Sequence, residues 1–185
     1  MNVVAFDLEA TCWKERGQNN VSEIIEIGAV KFNKKTCDIV GEFNVFIKPE
    51  YHPKLSPFCK ELTSITQDDV DNGISYTLAM DSYNEFIGDD TDWLFSWGQY
   101  DKNAIVRESI MKKYNSTLIT KLEEKHHNLK KVFAGIMHTK EIGLDNAIKR
   151  LNLVFEGTHH RGIDDSKNVM RIYSKIKENV WRTIL

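Results

Sequence analysis

No stretch of this chain approaches the roughly 18 consecutive apolar residues that a membrane span requires. The run Val3–Phe6 stops at Asp7 after four residues, so neither a membrane anchor nor a secretory leader is expected. Cysteine is scarce. Cys12, Cys37 and Cys59 are odd in number and lack metal-binding spacing. That excludes a disulfide framework and a thiolate metal site, and it predicts reduced thiols in an intracellular, cytoplasmic protein. Proline occurs only three times, and there is no repeat, low-complexity tract or Gly/Ser linker. One domain over residues 1–185 is therefore expected, with enough chain for a sizeable core.

What is present is ordinary for a globular protein: 41% hydrophobic and 28% charged residues. The net charge of −2 conceals an asymmetry. Residues 1–101 carry 8 Lys+Arg against 18 Asp+Glu, and residues 102–185 carry 17 against 9. An acidic half and a basic half suit a protein that gathers cations in one place and phosphates in another; a solvated surface without ligands has the same composition.

The pattern of apolar residues predicts an early three-strand meander. Val3–Phe6 reads as a short buried strand delivering Asp7 to its end, Glu23–Phe32 as a second strand, Asn33–Asp38 as a turn, and Phe43, Val45 and Ile47 as one face of a third. Ser56-Pro57 begins a short helix through Leu62, and Thr66 with Asp69 caps another turn. Tyr76, Met80, Tyr83, Phe86 and Ile87 form a helical stripe ending at Gly88. Trp93–Trp97 reads as a buried fourth strand and Asn128–Lys131 as a short last one. Helices are expected over Asp101–Tyr114, with Ile105, Ile110, Met111 and Tyr114 apolar, and over Val132–Met137, Leu144–Leu151 and Asp164–Asn179. The fold class is α/β or α+β, a meander followed by βα units.

Three blocks carry acidic residues in suggestive places. In VVAFDLEAT, Asp7 and Glu9 stand at i and i+2 of a strand, so both carboxylates share one face. Two like charges that close repel unless a cation lies between them. In SWGQYD, Asp101 follows a buried strand and opens a helix, where an N-cap is the ordinary job for Asp. HHRGIDDSKN offers two His–Asp pairs of equal offset, His159–Asp164 and His160–Asp165. Asp165 shares its helix face with Val169, Ile172 and Ile176, whereas Asp164 shares its own with Asn168, Arg171 and Lys175. Asp165 should therefore face the protein body and Asp164 solvent or a cap, which selects His160. Four carboxylates beside a histidine are hard oxygen ligands next to a neutral-pH proton acceptor. This is the equipment of Mg²⁺- or Mn²⁺-assisted phosphodiester cleavage.

These blocks, in this order, resemble the DEDDh (DnaQ-like) family of 3′-to-5′ exonucleases: Asp7-x-Glu9, Asp101, and His160-x4-Asp165. DLEATCW, EIIEIGAV, LSPFCKELTSITQDDVD and HHRGIDDSKN further resemble the subgroup containing the ERI and three-prime histone mRNA exonuclease types. The likeness runs from about residue 3 to residue 177. It implies an RNase H-like fold, with a central mixed five-stranded sheet flanked by helices. It also implies two divalent cations, Mg²⁺ or Mn²⁺. Asp7 would bridge them, Glu9 and Asp165 would help hold the one carrying the attacking water, and Asp101 would serve the other. His160 would act as general base, and Phe58 and Tyr100 would be aromatics near the terminal nucleotide, with Thr11 and Ile65 as further substrate contacts. Phe58 also fits a helix-core residue. The implied partner is single-stranded nucleic acid, RNA favoured and DNA possible; no membrane is involved and no protein partner is legible. FDLEAT has a fainter likeness to the haloacid-dehalogenase phosphatases, which would make Asp7 a nucleophile but leave Asp101 and His160 without roles.

Overall fold

The computed structural model describes residues 1–15, 17 and 21–184. Strands β1 (Asn2–Ala10), β2 (Ile24–Asn33) and β3 (Ile39–Phe46) form the expected antiparallel meander. Strands β4 (Thr91–Ser96) and β5 (His126–Asn128) then add in parallel beside β1, giving one sheet in the order β3-β2-β1-β4-β5. Helices α1 (Pro57–Thr63), α2 (Gln67–Asp71) and α3 (Tyr76–Ile87) follow the meander. Helices α4 (Tyr100–Met111) and α5 (Thr117–Lys125) link β4 to β5, and α6 (Leu129–Ile136), α7 (Leu144–Arg150) and α8 (Gly162–Ile184) close the chain.

The period-two alternation of β1 divides the molecule. Val4, Phe6 and Leu8 pack with Tyr76, Met80 and Tyr83 of α3, Ala104 and Ile105 of α4, and Leu118 and Leu122 of α5. Val3 and Ala5 pack on the other face with Phe133 of α6, Ile148 of α7, and Val169, Ile172, Tyr173 and Ile176 of α8. Asp7 and Glu9 continue the odd-numbered series, so they emerge on the α8 face.

Local signals hold the short helices where the sequence places them. Ser56 Oγ accepts from Cys59 N at the start of α1. Thr66 and Asp69 form a reciprocal capping box on α2. Several expectations need correction. β1 does not stop at Phe6 but carries Asp7 and Glu9 inside it, paired with Gly28 and Glu26 of β2. The last strand is His126–Asn128; Asn128 then caps a helix that takes Leu129–Lys131. α5 was not foreseen, because its apolar side is reduced to two buried leucines, Leu118 and Leu122. Ile110, one of the apolar residues noted in this helix, is 73% exposed, since the buried positions fall to Asp101, Ala104, Ile105, Glu108 and Ser109.

The sheet and α8 meet without side chains at one point. A Cβ built on Gly28 would lie 1.9 Å from the Gly162 carbonyl carbon and from Ile163 N. Only glycine lets the two backbones approach this closely. Gly28→Ala should thus force α8 off the sheet and cost about 1–3 kcal/mol, as overpacking does. Thermal unfolding should register this as a midpoint lower by roughly 2–12 °C for a chain of this size. An unchanged midpoint would show that the contact is slack.

Candidate active site

The site lies at the carboxyl ends of the parallel strands β1 and β4, where open α/β sheets place their ligands. β1 presents Asp7 and Glu9, and the turn after β4 leads into α4 and Asp101. The first turn of α8 presents Asp165. Ligand oxygens of Asp7, Glu9 and Asp165 all lie within 4.8 Å of one another. Asp101 is 5% exposed and, after burial itself, exerts the largest influence on Asp7. It is not the cap of α4. Gln99 occupies that position and makes no side-chain cap bond, which leaves the Asp101 carboxylate for the cleft.

His160 belongs to the same group. Its backbone N–H donates to Asp165 Oδ2 at 3.0 Å, and ring nitrogens of His159 and His160 lie within 4.8 Å of an Asp165 oxygen. His160 has φ +63°, a left-handed conformation that costs a non-glycine residue about 1–2 kcal/mol and that the surrounding contacts must hold. His159 is exposed and lies against Phe155, with ring centroids 5.0 Å apart, whereas His160 is half-buried.

The inward facing of Asp165 matches the helical periodicity: Val169, Ile172 and Ile176 are buried with it. The other face of α8 is not simply solvated. Asp164 Oδ2 accepts from Thr158 N at 2.8 Å, Asn168 is fully buried and bonds the Glu156 backbone, and Arg171 reaches Val154 O. This polar face fastens the segment leading to His160, because the unpaired backbone groups of 154–158 need partners.

Two residues absent from the sequence-level set do much of the positioning. Glu26, opposite Glu9 in the β1–β2 register, is fully buried. It accepts from Gly162 N at 3.0 Å and from Arg161 Nη2 at 3.1 Å. The Glu26–Arg161 pair therefore ties the turn bearing His160 to the strand beside Glu9. A glutamate and a glycine inside the apolar run EIIEIGAV were the available signal, since neither suits a buried strand without a specific contact.

Burial and crowding raise every carboxyl of the cluster. Asp7 rises well above the usual range through burial and the charges of Asp101, Asp165 and Glu9. Glu9 is pushed up to about 8 by burial, then by Asp165 and Glu26, with Arg161 opposing. Asp165 reaches about 7 through burial, against the His160 N–H bond that favours its ionised form. Asp101 reaches about 6, also through burial, moderated by backbone N–H groups and Ser96. His160 is lowered by burial and by His159, so its neutral form is favoured. Asp165 Oδ1 is buried with no hydrogen-bond partner. An orphaned carboxylate oxygen amid mutually repelling carboxylates is a donor set that fits hard divalent cations.

The expected substrate contacts separate. Tyr100 is 49% exposed at the mouth of a groove that Thr11 also lines. Thr11 itself is buried, and its Oγ1 accepts from Glu23 N, a structural bond. Phe58 is half-buried beside a surface hollow with Lys14, Glu61 and Leu62. Ile65 is fully buried in a small core with Ile25, Leu55, Cys59 and Val70; it packs α1 against β2 and has no surface to offer a nucleotide.

A mixed sheet with helices on both faces is the RNase H-like fold, and the acidic cluster at its strand ends is the arrangement of the DEDDh class, which depends on divalent metals. A family model described as Exonuclease matches residues 4–173, and the chain belongs to that family. It is 28% identical over 202 residues to ERI1 exoribonuclease 2 of Xenopus laevis, covering 94% of this chain and 28% of the relative. It is 30% identical over 177 residues to human ERI1 exoribonuclease 3, covering 91% and 51%. The 3′-5′ exonuclease Snipper of Drosophila melanogaster is 29% identical over 94% of this chain and 68% of its own length. The chain thus spans between about a quarter and a half of these two ERI1 relatives. The solved nuclease domain of 3′hExo, a DEDDh family member bound to rAMP, superposes with a TM-score of 0.86 at 26% identity, over 96% of this chain and 92% of that one. The phosphatase reading with Asp7 as nucleophile is overturned by the family match, and the structure sets Asp101 beside Asp7 and His160 beside Asp165, residues that reading leaves without roles.

Removing Arg161 would leave Glu26 buried beside Glu9 without its counter-charge. Such losses cost about 3–5 kcal/mol for fully buried pairs. Arg161 keeps a quarter of its side-chain surface exposed, so Arg161→Ala should cost less, about 2 kcal/mol. Denaturant unfolding measures it, and a variant as stable as the parent would remove the pair from the account.

Proposed function

We propose that residues 1–185 form one exonuclease domain that removes nucleoside monophosphates from the 3′ end of single-stranded nucleic acid, RNA before DNA. The observation that carries this is the meeting of Asp7, Glu9 and Asp165 within 4.8 Å, with Asp165 Oδ1 buried and unpartnered. Asp7, Glu9, Asp101 and Asp165 would hold two cations, Mg²⁺ or Mn²⁺. When bound, two such cations supply the positive charge that stabilises the attacking and leaving oxygens of a displacement at phosphorus.

The chain's own residues do the rest. His160, kept neutral by burial, accepts the proton of the attacking water at a ring nitrogen. The bond from its backbone N–H to Asp165 holds the ring beside the cluster. Tyr100 and Phe58 offer aromatic surface to the terminal base, a sequence-tolerant contact worth roughly 1–3 kcal/mol per base. RNA is preferred in this reading because similar proteins are named exoribonucleases and the 3′hExo domain was solved with rAMP. No helix of the described residues is long and apolar enough to cross a membrane.

With 5′-labelled RNA and DNA, single- and double-stranded, Mn²⁺ or Mg²⁺ should produce a ladder shortening from the 3′ end. It should be fastest on single-stranded RNA and absent after chelation. Internal cuts as sole products, or full activity in EDTA, would refute the reading.

The twin motifs give a sharper test. His160→Ala should lower nucleotide release by about 10²–10⁴-fold, the usual cost of losing a general base, and Asp165→Ala by at least as much. His159→Ala should be mild. Asp164→Ala should act through stability, by freeing Thr158 N, more than through turnover. Nucleotide release and circular dichroism on the four proteins decide, and essential His159 and Asp164 would invert the assignment.

A further inference from the structure

Beyond the carboxylate cluster, α4 runs away from Asp101 along one wall of a groove whose other wall is the chain on either side of the β1–β2 connection. Thr11, Trp13, Ser22, Tyr100 and Arg107 line it. Tyr100 and Arg107 are seven residues apart on α4, so they share a helix face about 10 Å apart along its axis. Arg107 is exposed, and its guanidinium donates to Ser22 O at 3.1 Å. Among the described residues no carboxylate pairs with it, although the chain has more acidic than basic groups. Trp13 is half-buried and braced: its ring meets His52 at a tilt of 75°, with centroids 4.9 Å apart, and His52 Nε2 accepts from Val21 N. Its indole N–H has no partner among the described hydrogen bonds.

Such a groove combines a held aromatic surface, a cation without a carboxylate and continuity with the cleft. Apolar ligands would not need the guanidinium, and acidic peptides would be repelled by the carboxylates at its inner end. A strand with one phosphate per base suits both features, because aromatic planes stack on any base and arginine pairs with phosphate. We infer that this groove is the subsite for the nucleotide upstream of the scissile phosphate, Trp13 stacking on its base and Arg107 contacting its phosphate. The inference rests on the exonuclease reading and deepens it, since it sets the direction in which the strand leaves the site.

The test compares two substrates. The p-nitrophenyl ester of uridine 5′-monophosphate fills the terminal site but has no upstream nucleotide; a single-stranded oligoribonucleotide has one. Trp13→Ala and Arg107→Ala should each lower the ratio of kcat/KM on the oligonucleotide to that on the ester by roughly tenfold. Trp13→Phe should restore most of the ratio. Arg107→Ala should also flatten the dependence of log KM on log salt by about 0.7, the signature of one lost single-strand phosphate contact. Equal losses on both substrates, or a ratio that does not change, would overturn the subsite while leaving the exonuclease intact. A parent enzyme inactive on both substrates would fail the exonuclease reading, and the subsite with it. Melting curves on the same proteins verify folding, and Arg107→Glu, an exposed substitution, should deepen the ratio change without lowering the midpoint.

Discussion

The structure depends on a contact between two stretches of bare backbone. Gly28 in β2 and Gly162 at the head of α8 touch with no room for a methyl group between them. Because Asp7 pairs with Gly28 across β1 and β2, this contact sets the first turn of α8 directly over Asp7. Glu26 then accepts from both Gly162 N and Arg161, which locks the preceding turn and with it the left-handed His160. Asp165, one turn into α8, has little freedom to be anywhere but against Asp7 and Glu9.

The site is held under electrostatic stress by the fold around it. Burial raises all four carboxyls, neighbouring carboxylates raise Asp7, Glu9 and Asp165 further, and Asp165 Oδ1 has no partner. Such stress persists only where the fold over-determines it. Here the two cores on opposite faces of β1 supply that rigidity. Divalent cations held by these carboxylates would relieve it and would thereby stabilise the native state.

Charge is divided in space as well as along the chain. The acidic residues that matter converge from β1, α4 and α8, while Arg107 and the aromatics Trp13 and Tyr100 lie outside them along α4. The two halves of the sequence are therefore not two halves of the molecule. Much of the basic surplus in residues 102–185 instead engages acidic neighbours or backbone carbonyls, as Lys112 does with Glu23, Glu50 and Glu108, and Lys125 with Thr91 O.

The sequence alone determined the meander, the shared face of Asp7 and Glu9, and the inward facing of Asp165, because strand alternation and helical spacing are local rules. Asp101 and His160 joined them only through the order of the motifs and the family resemblance that order carries. The short strand read over Val3–Phe6 understated β1, although the shared face of Asp7 and Glu9 already required strand as far as Glu9; pairing with β2 carries it to Ala10. The sequence reading also missed α5, whose two buried leucines make too narrow a stripe, and it misplaced Ile65, whose burial depends on how α1 lies on β2. Glu26, Arg161 and the Gly28–Gly162 contact were out of reach for a related reason. Residues 26 and 161 are far apart in the chain, and what brings them together is close packing of two backbones, a property that belongs to neither segment until the tertiary structure forms.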